Sequence, residues 1–298
     1  MSFKKTAAIV TGAGALSYGA YKLLAEEMFK RSFRKRKITD HEQDQYSIWY
    51  SSCKVDEICL ESFDGLKLYG YDIHNHDSDE YVIMVHGIWT NSTYMYERAC
   101  QFDLMGYNVL LVDQRAAGKS EGKYYTYGFK ESLDLIQWID YLVRKYPNAK
   151  ICLYGISMGA DTVMMATRNS LPSNVRCIVE DCGFSSVEEQ FDHVLKKDYN
   201  LAVTKVALKL LESQIKENFG IDYKDLSAKK CLQDNEIPIL FIHGKDDDFV
   251  PFVMAKKLYN NNKGVKKYYA VNGAGHGQAN IDENYYTNID RFIREYFA

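Results

Sequence analysis

Residues 153–161 read LYGISMGAD, with a lone serine at 157 between glycines at 155 and 159, directly after an apolar run. Glycine serves where the backbone must turn sharply, or where two segments approach with no room for a Cβ. The G-x-S-x-G spacing asks for that twice within five residues. It marks a tight strand-to-helix turn that holds a serine hydroxyl exposed. The stretch therefore makes two demands on its surroundings, a buried strand before it and a helix after it.

Both demands are met by the flanking pattern. EYVIMVHG (80–87), YNVLLVD (107–113), KICLYG (150–155), RCIVEDC (176–182), IPILFIHG (237–244) and KKYYAVNG (266–273) are dense apolar runs of strand length. Val55–Phe63 and Leu66–Ile73, joined at Asp64-Gly65, read as a hairpin. Tyr94–Met105 has helical character, and 127–145 carries Phe129, Leu133, Ile136, Ile139 and Val143 at helical spacing. A last helix, Arg291–Phe297, closes the chain. Near-continuous apolar strands alternating with helices predict an α/β fold, a mostly parallel, doubly wound sheet covered on both faces.

One interval breaks the alternation. From 184 to 235 the chain is too long for a single crossover and contains two expected helices, about 186–197 and 202–217. Leu201, Val203, Val206, Leu208, Leu210 and Leu211 exceed the needs of one buried stripe. The interval is expected to form a small helical cap over the carboxyl end of the sheet, where open α/β sheets bind ligands.

Composition excludes several classes of partner. The 37 Lys and Arg against 40 Asp and Glu leave a formal net charge of −3, with no basic excess to attract nucleic acid. At 298 residues, 46% hydrophobic and with only 4 prolines, the chain can bury a large core. Seven cysteines, several inside apolar runs and none in a C-x-x-C pair, point to a reducing, cytoplasmic compartment and away from a structural metal site. Residues 1–44 stand apart from the 45–298 domain. Thr6–Tyr21 is a run of 16 uncharged residues, short of the ~20 that span a bilayer, followed by six positive charges within 30–37. A signal peptide, a soluble helix and a membrane anchor all fit in part; the anchor, with residues 1–37 against anionic lipid, fits best.

A serine hydroxyl is a poor nucleophile until a base takes its proton and a third group orients that base. Downstream of Ser157, HGKDDDFVP (243–251) offers three consecutive aspartates after the next-to-last strand, and GAGHG (273–277) offers His276 in a glycine-rich loop after the last. The other histidines lie early in polar surroundings (His41, His74, His76), at strand ends (His86, His243) or in the cap (His193).

These motifs, with MVHG (84–87) and DQRAAGKSEG (113–122), resemble the α/β-hydrolase-fold serine hydrolases, and within them the bacterial lysophospholipase-like and serine-aminopeptidase-like (S33-type) group. The resemblance runs from about Val55 to the end of the sequence. It implies H-G-x-x-D-x-x-V-P at His243, Gly244, Asp247, Val250 and Pro251, which selects Asp247 among the three aspartates. It also implies an oxyanion hole made by the backbone N–H groups of Met158 and Ile88. Trp89 beside it becomes a candidate for the acyl pocket. In the family's DxRGxGxS loop Ala116 stands where a glycine is usual, so the conformation there is an open question. The implied activity is hydrolysis of a small-molecule carboxylic ester by Ser157, His276 and Asp247, with neither cofactor nor metal. Two alternatives stand beside it. One is an aminopeptidase or amidase holding its substrate's amine on Glu188 or Glu189; the other is a binding protein that kept the fold.

Overall fold

The computed structural model of the protein describes residues 18–37, 45–198 and 201–298. In chain order the elements are α1 (Tyr18–Phe33), α2 (Gln45–Ser52), β1 (Val55–Glu61), β2 (Lys67–Ile73), β3 (Glu80–Val85), α3 (Tyr96–Leu104), β4 (Asn108–Val112), α4 (Phe129–Lys145), β5 (Lys150–Ile156), α5 (Met158–Ala166), β6 (Val175–Asp181), α6 (Val187–Asp198), α7 (Leu201–Phe219), α8 (Ala228–Cys231), β7 (Ile239–Gly244), α9 (Phe252–Asn261), β8 (Lys266–Val271) and α10 (Tyr285–Phe297). The chain divides into two compact units, one made of residues up to Arg34 together with Ser186–Leu226, the other of Lys35–Ser185 and Ser227–Ala298.

The larger unit holds a single eight-stranded sheet in the order β1-β2-β4-β3-β5-β6-β7-β8. β2 pairs antiparallel with β1 and β4, and every other neighbouring pair is parallel. The inner strands are buried on both faces, which is why their sequences run apolar without alternating. On one face Leu135, Trp138, Ile139 and Leu142 of α4 and Val163 and Met164 of α5 join the core. On the other, Ala99 and Phe102 of α3 pack with Ile289, Phe292 and Phe297 of α10. The expected doubly wound sheet is the observed one.

The hairpin turn and the loop after β4 are locked to each other by charge. Arg115 reaches both carboxylate oxygens of Asp134 at 2.7 and 2.6 Å and those of Asp64 at 3.0 and 3.1 Å. A planar guanidinium matches two carboxylates in this way, and a lysine could not. Next to it Ala116 adopts φ 60°, the left-handed region that a glycine would enter freely. The alanine is buried in a cluster with Ala117, Tyr125 and Met158.

The smaller unit is helical. Phe29 and Phe33 of α1 stack at 4.8 Å, Phe33 lies 6.0 Å from Phe191, and Phe29 lies 5.2 Å from Phe219. Met28, Leu195 and Ala207 form its buried cluster. Most of the uncharged segment expected to anchor the chain, residues 6–17, lies outside the described residues. From Tyr18 the chain is already one helix that runs into the basic cluster and carries Glu26 and Glu27, which pair with Lys30 and Arg31. Beyond it Lys35 donates to the carbonyls of Gly118 and Ser120, and Arg36 stacks on Trp89, 3.4 Å from the ring centroid. Four of the six cations of this cluster are thus engaged within the chain, and nothing in the described residues supports the expected anchoring to lipid. Among the described residues no helix is long and apolar enough to cross a membrane.

Candidate active site

The turn after β5 explains its own glycines. A Cβ on Gly155 would lie 2.2 Å from the Gly159 carbonyl oxygen, and one on Gly159 would lie 2.0 Å from that of Val85. Between them Ser157 sits at φ 55°, ψ −124°, a strained conformation for any residue with a side chain. The strain lifts Oγ off the end of the strand, with α5 starting at Met158.

His276, in the loop after β8, brings Nε2 to 2.8 Å from Ser157 Oγ and Nδ1 to 2.7 Å from Asp247 Oδ2. The neutral ring satisfies both contacts with its proton on Nδ1: Nδ1–H donates to the carboxylate, and Nε2 accepts from the serine hydroxyl. Of the three aspartates, Asp246 and Asp248 are exposed and Asp247 is buried. Its Oδ1 accepts from the amides of Phe249 and Val250 at 3.0 and 2.8 Å. Burial acts to raise its pKa, but bonds from His243 and His276 and the Val250 amide prevail and hold it well below the usual carboxylate range.

Ile88 lies in the turn after β3, and neither its amide N–H nor that of Met158 has a hydrogen-bond partner among the described residues. The turn itself is tied down by a residue passed over in the sequence. The Gln114 amide donates to His86 Nε2, so the ring proton is on Nδ1, which donates to the Gly87 carbonyl at 2.7 Å. Burial pushes His86 below its usual pKa and keeps it neutral. A second such residue is His243, whose Nε2–H donates to the Val250 carbonyl and lies 3.3 Å from Asp247 Oδ2. The cue for His243 was its place four residues before Asp247.

Ser157 and His276 open onto a cavity of about 290 Å³. Ile88, Trp89, Met95, Ile156 and Phe249 make its apolar walls, and Tyr94 and Arg98 its polar ones. Trp89, like Ser157, has a positive φ, 57°. Phe249, also unforeseen, meets the His276 ring edge-on with centroids 5.0 Å apart. Glu188 and Glu189 lie in the first turn of α6, in the smaller unit. Among the described residues, ligand atoms of Cys182, Asp247 and His276 lie within 4.8 Å of one another. This is a poor metal cradle, because the aspartate and the imidazole are bonded to each other and burial pushes the Cys182 thiol well above its usual pKa.

The strand order, the single reversed strand and a serine on the turn after the central β5 agree with what known proteins show. A family model described as alpha/beta hydrolase fold matches residues 80–214. Superposition on the Pyrococcus furiosus esterase Pf2001 covers 90% of this chain and 99% of that one, with a TM-score of 0.70 at 23% identity. The chain has the α/β-hydrolase fold. Another structure with this α/β-hydrolase architecture is an esterase from Exiguobacterium antarcticum, at TM-score 0.60 and 19% identity over 80% of this chain and all of that one. In sequence, the chain is 28% identical to the uncharacterized Bacillus subtilis protein YqkD over 255 residues, 85% of this chain and 81% of the relative.

Proposed function

We propose that the protein is a serine hydrolase that cleaves a small-molecule carboxylic ester through an acyl-enzyme. The observation that carries this is the unbroken run from Ser157 through His276 to Asp247, at 2.8 and 2.7 Å, opening onto a mainly apolar cavity. Ser157 Oγ attacks the ester carbonyl carbon as its proton passes to His276 Nε2. The carbonyl oxygen becomes an oxyanion and takes hydrogen bonds from the Ile88 and Met158 amides, the loss of one such donor costing on the order of 3 kcal/mol in comparable hydrolases. His276 then protonates the departing alkoxide as the C–O bond breaks, leaving the acyl group on Ser157. A water gives a proton to the same nitrogen as it attacks the acyl carbon, and His276 returns that proton to Ser157 Oγ as the C–Oγ bond breaks and the acid leaves. Throughout, Asp247 holds the ring in the working tautomer and offsets the charge of the imidazolium. Trp89 walls the acyl side.

An ester suits this cavity better than the aminopeptidase alternative. A substrate amine would need a carboxylate, and the lining described includes none, offering a guanidinium in its place. That two structural neighbours are esterases agrees with this. The test is labelling by a fluorophosphonate together with turnover of p-nitrophenyl esters and aminoacyl-p-nitroanilides. Stoichiometric label on Ser157, its loss in Ser157→Ala, and turnover of the esters alone are expected. Label at another serine, or faster cleavage of the anilides, would overturn the assignment.

A further inference from the structure

Arg98, on α3, lines the cavity beside Ser157 yet is only 7% exposed. Its Nε–H donates to Tyr154 Oη at 3.0 Å and its Nη2–H to the carbonyl of Gly277, the neighbour of His276, at 2.8 Å. Both acceptors are neutral. A guanidinium can only donate, so the Tyr154 hydroxyl passes its own proton on to Tyr285 Oη at 2.7 Å, and Tyr285 donates to Asp181 Oδ2 at 2.6 Å. Asp181 is thus hydrogen-bonded to Arg98 only through two phenols and acts on it otherwise by charge alone, and among the described residues no carboxylate is within ion-pair distance of it. Among the described residues Nη1 has no hydrogen-bond partner, and it is not among the side-chain atoms sealed from solvent without one.

A permanently charged group taken out of water is normally paired. Here Nη1 is left without a protein partner among the described residues, in a side chain that lines the same cavity as Ser157, whose other walls are mainly apolar. We infer that Arg98 anchors an anionic group of the substrate, so that the preferred substrate is a short ester carrying a carboxylate. The inference rests on the ester-hydrolase function proposed above and names its substrate class. The cavity is at the small end for ligand sites, which limits the arm between carboxylate and ester to a few atoms. Two N–H groups on one nitrogen give the carboxylate a directed contact that an apolar chain of equal length cannot use.

The carboxylate could belong to the acyl part or to the alcohol part, and paired probes separate the two. Monomethyl succinate is compared with methyl butyrate, and 3-acetoxypropanoate with butyl acetate, by titration of released acid. In the wild type at least one carboxylate ester should exceed its neutral partner in kcat/KM by tenfold or more, and which pair responds identifies the side. Arg98→Met should erase or invert that preference, and Arg98→Lys should restore part of it. Loss of the Gly277 contact lowers turnover of both members of a pair, so the ratio within each pair reports the anchor alone. Independently of turnover, succinate should raise the melting temperature of Ser157→Ala but not that of Arg98→Met. Preference for both neutral esters in the wild type, or an equal fall within both pairs in Arg98→Met, would overturn the inference. Absence of all turnover and of fluorophosphonate labelling would instead sink the hydrolase assignment, and the succinate shift would still decide whether Arg98 binds an anion.

Discussion

At the scale of single residues, the choice of acid shows what a sequence can and cannot carry. Asp246, Asp247 and Asp248 are chemically identical and adjacent, so nothing local distinguishes them, and only the family spacing picks out the middle one. The fold distinguishes them by turning Asp247 inward, where two amides and two histidines converge on it, while its neighbours face water. Asp247→Asn should therefore lower kcat by about 10⁴, as an orienting carboxylate does in other triads, with KM changed little. Asp246→Asn and Asp248→Asn serve as controls and should stay within about twofold of the wild type in the same steady-state assay, as exposed changes usually do. A large loss in either control would mean that a different carboxylate orients His276. His86 and His243 illustrate the converse difficulty. Their sequence context is a strand end followed by glycine, which says nothing of the carbonyls and the carboxylate that their ring nitrogens meet.

At the scale of elements, the eight strands and the flanking helices were legible because each writes its burial into a run of apolar residues. The serine turn was legible because its glycines have no substitute. Gly159 lies against the backbone of Val85, at the end of the strand that leads into Ile88, so the turn bearing Ser157, the proposed nucleophile, touches the strand end before Ile88, a proposed oxyanion donor. Gly159→Ala would drive a methyl into that carbonyl and separate them. Its expected result is a poorly folded protein, with soluble yield and melting temperature sharply reduced; a well-folded, fully active Gly159→Ala variant would show that the contact can yield. The N-terminal region was less legible. An uncharged stretch followed by a basic one reads as an anchor; the spacing of Lys30 and Arg31 four residues after Glu26 and Glu27 was there to be read, whereas docking of Lys35 onto two carbonyls depends on tertiary neighbours that no local pattern announces.

At the scale of the whole molecule, the carboxyl ends of the central strands gather buried acids whose protonation couples to folding. Burial pushes Glu180 up to about 8 from 4.5, against the pull of His243, and Asp181 and Asp161 are raised in the same direction. A carboxyl whose pKa is higher in the folded state binds more protons folded than unfolded between the two values, so stability falls as pH rises through that window, from 4.5 to about 8 for Glu180. His243, also raised above its ordinary 6.5, contributes with the same sign, its stabilisation being present below that value and lost as pH rises. Thermal melts should accordingly give a higher melting temperature at pH 6 than at pH 8.5, and Glu180→Gln should flatten the slope; a melting temperature that climbs with pH would contradict the assignment. The hydrogen-bonded line from Arg98 through Tyr154 and Tyr285 to Asp181 crosses α3, β5, α10 and β6 before it reaches the Ser157 amide, which donates to the Asp181 carbonyl. Arg98 also holds the Gly277 carbonyl, so the same line ties the serine turn to the histidine loop. Activity and the near-UV signal are therefore expected to fall along one curve on heating, and activity lost well before that signal would contradict the coupling.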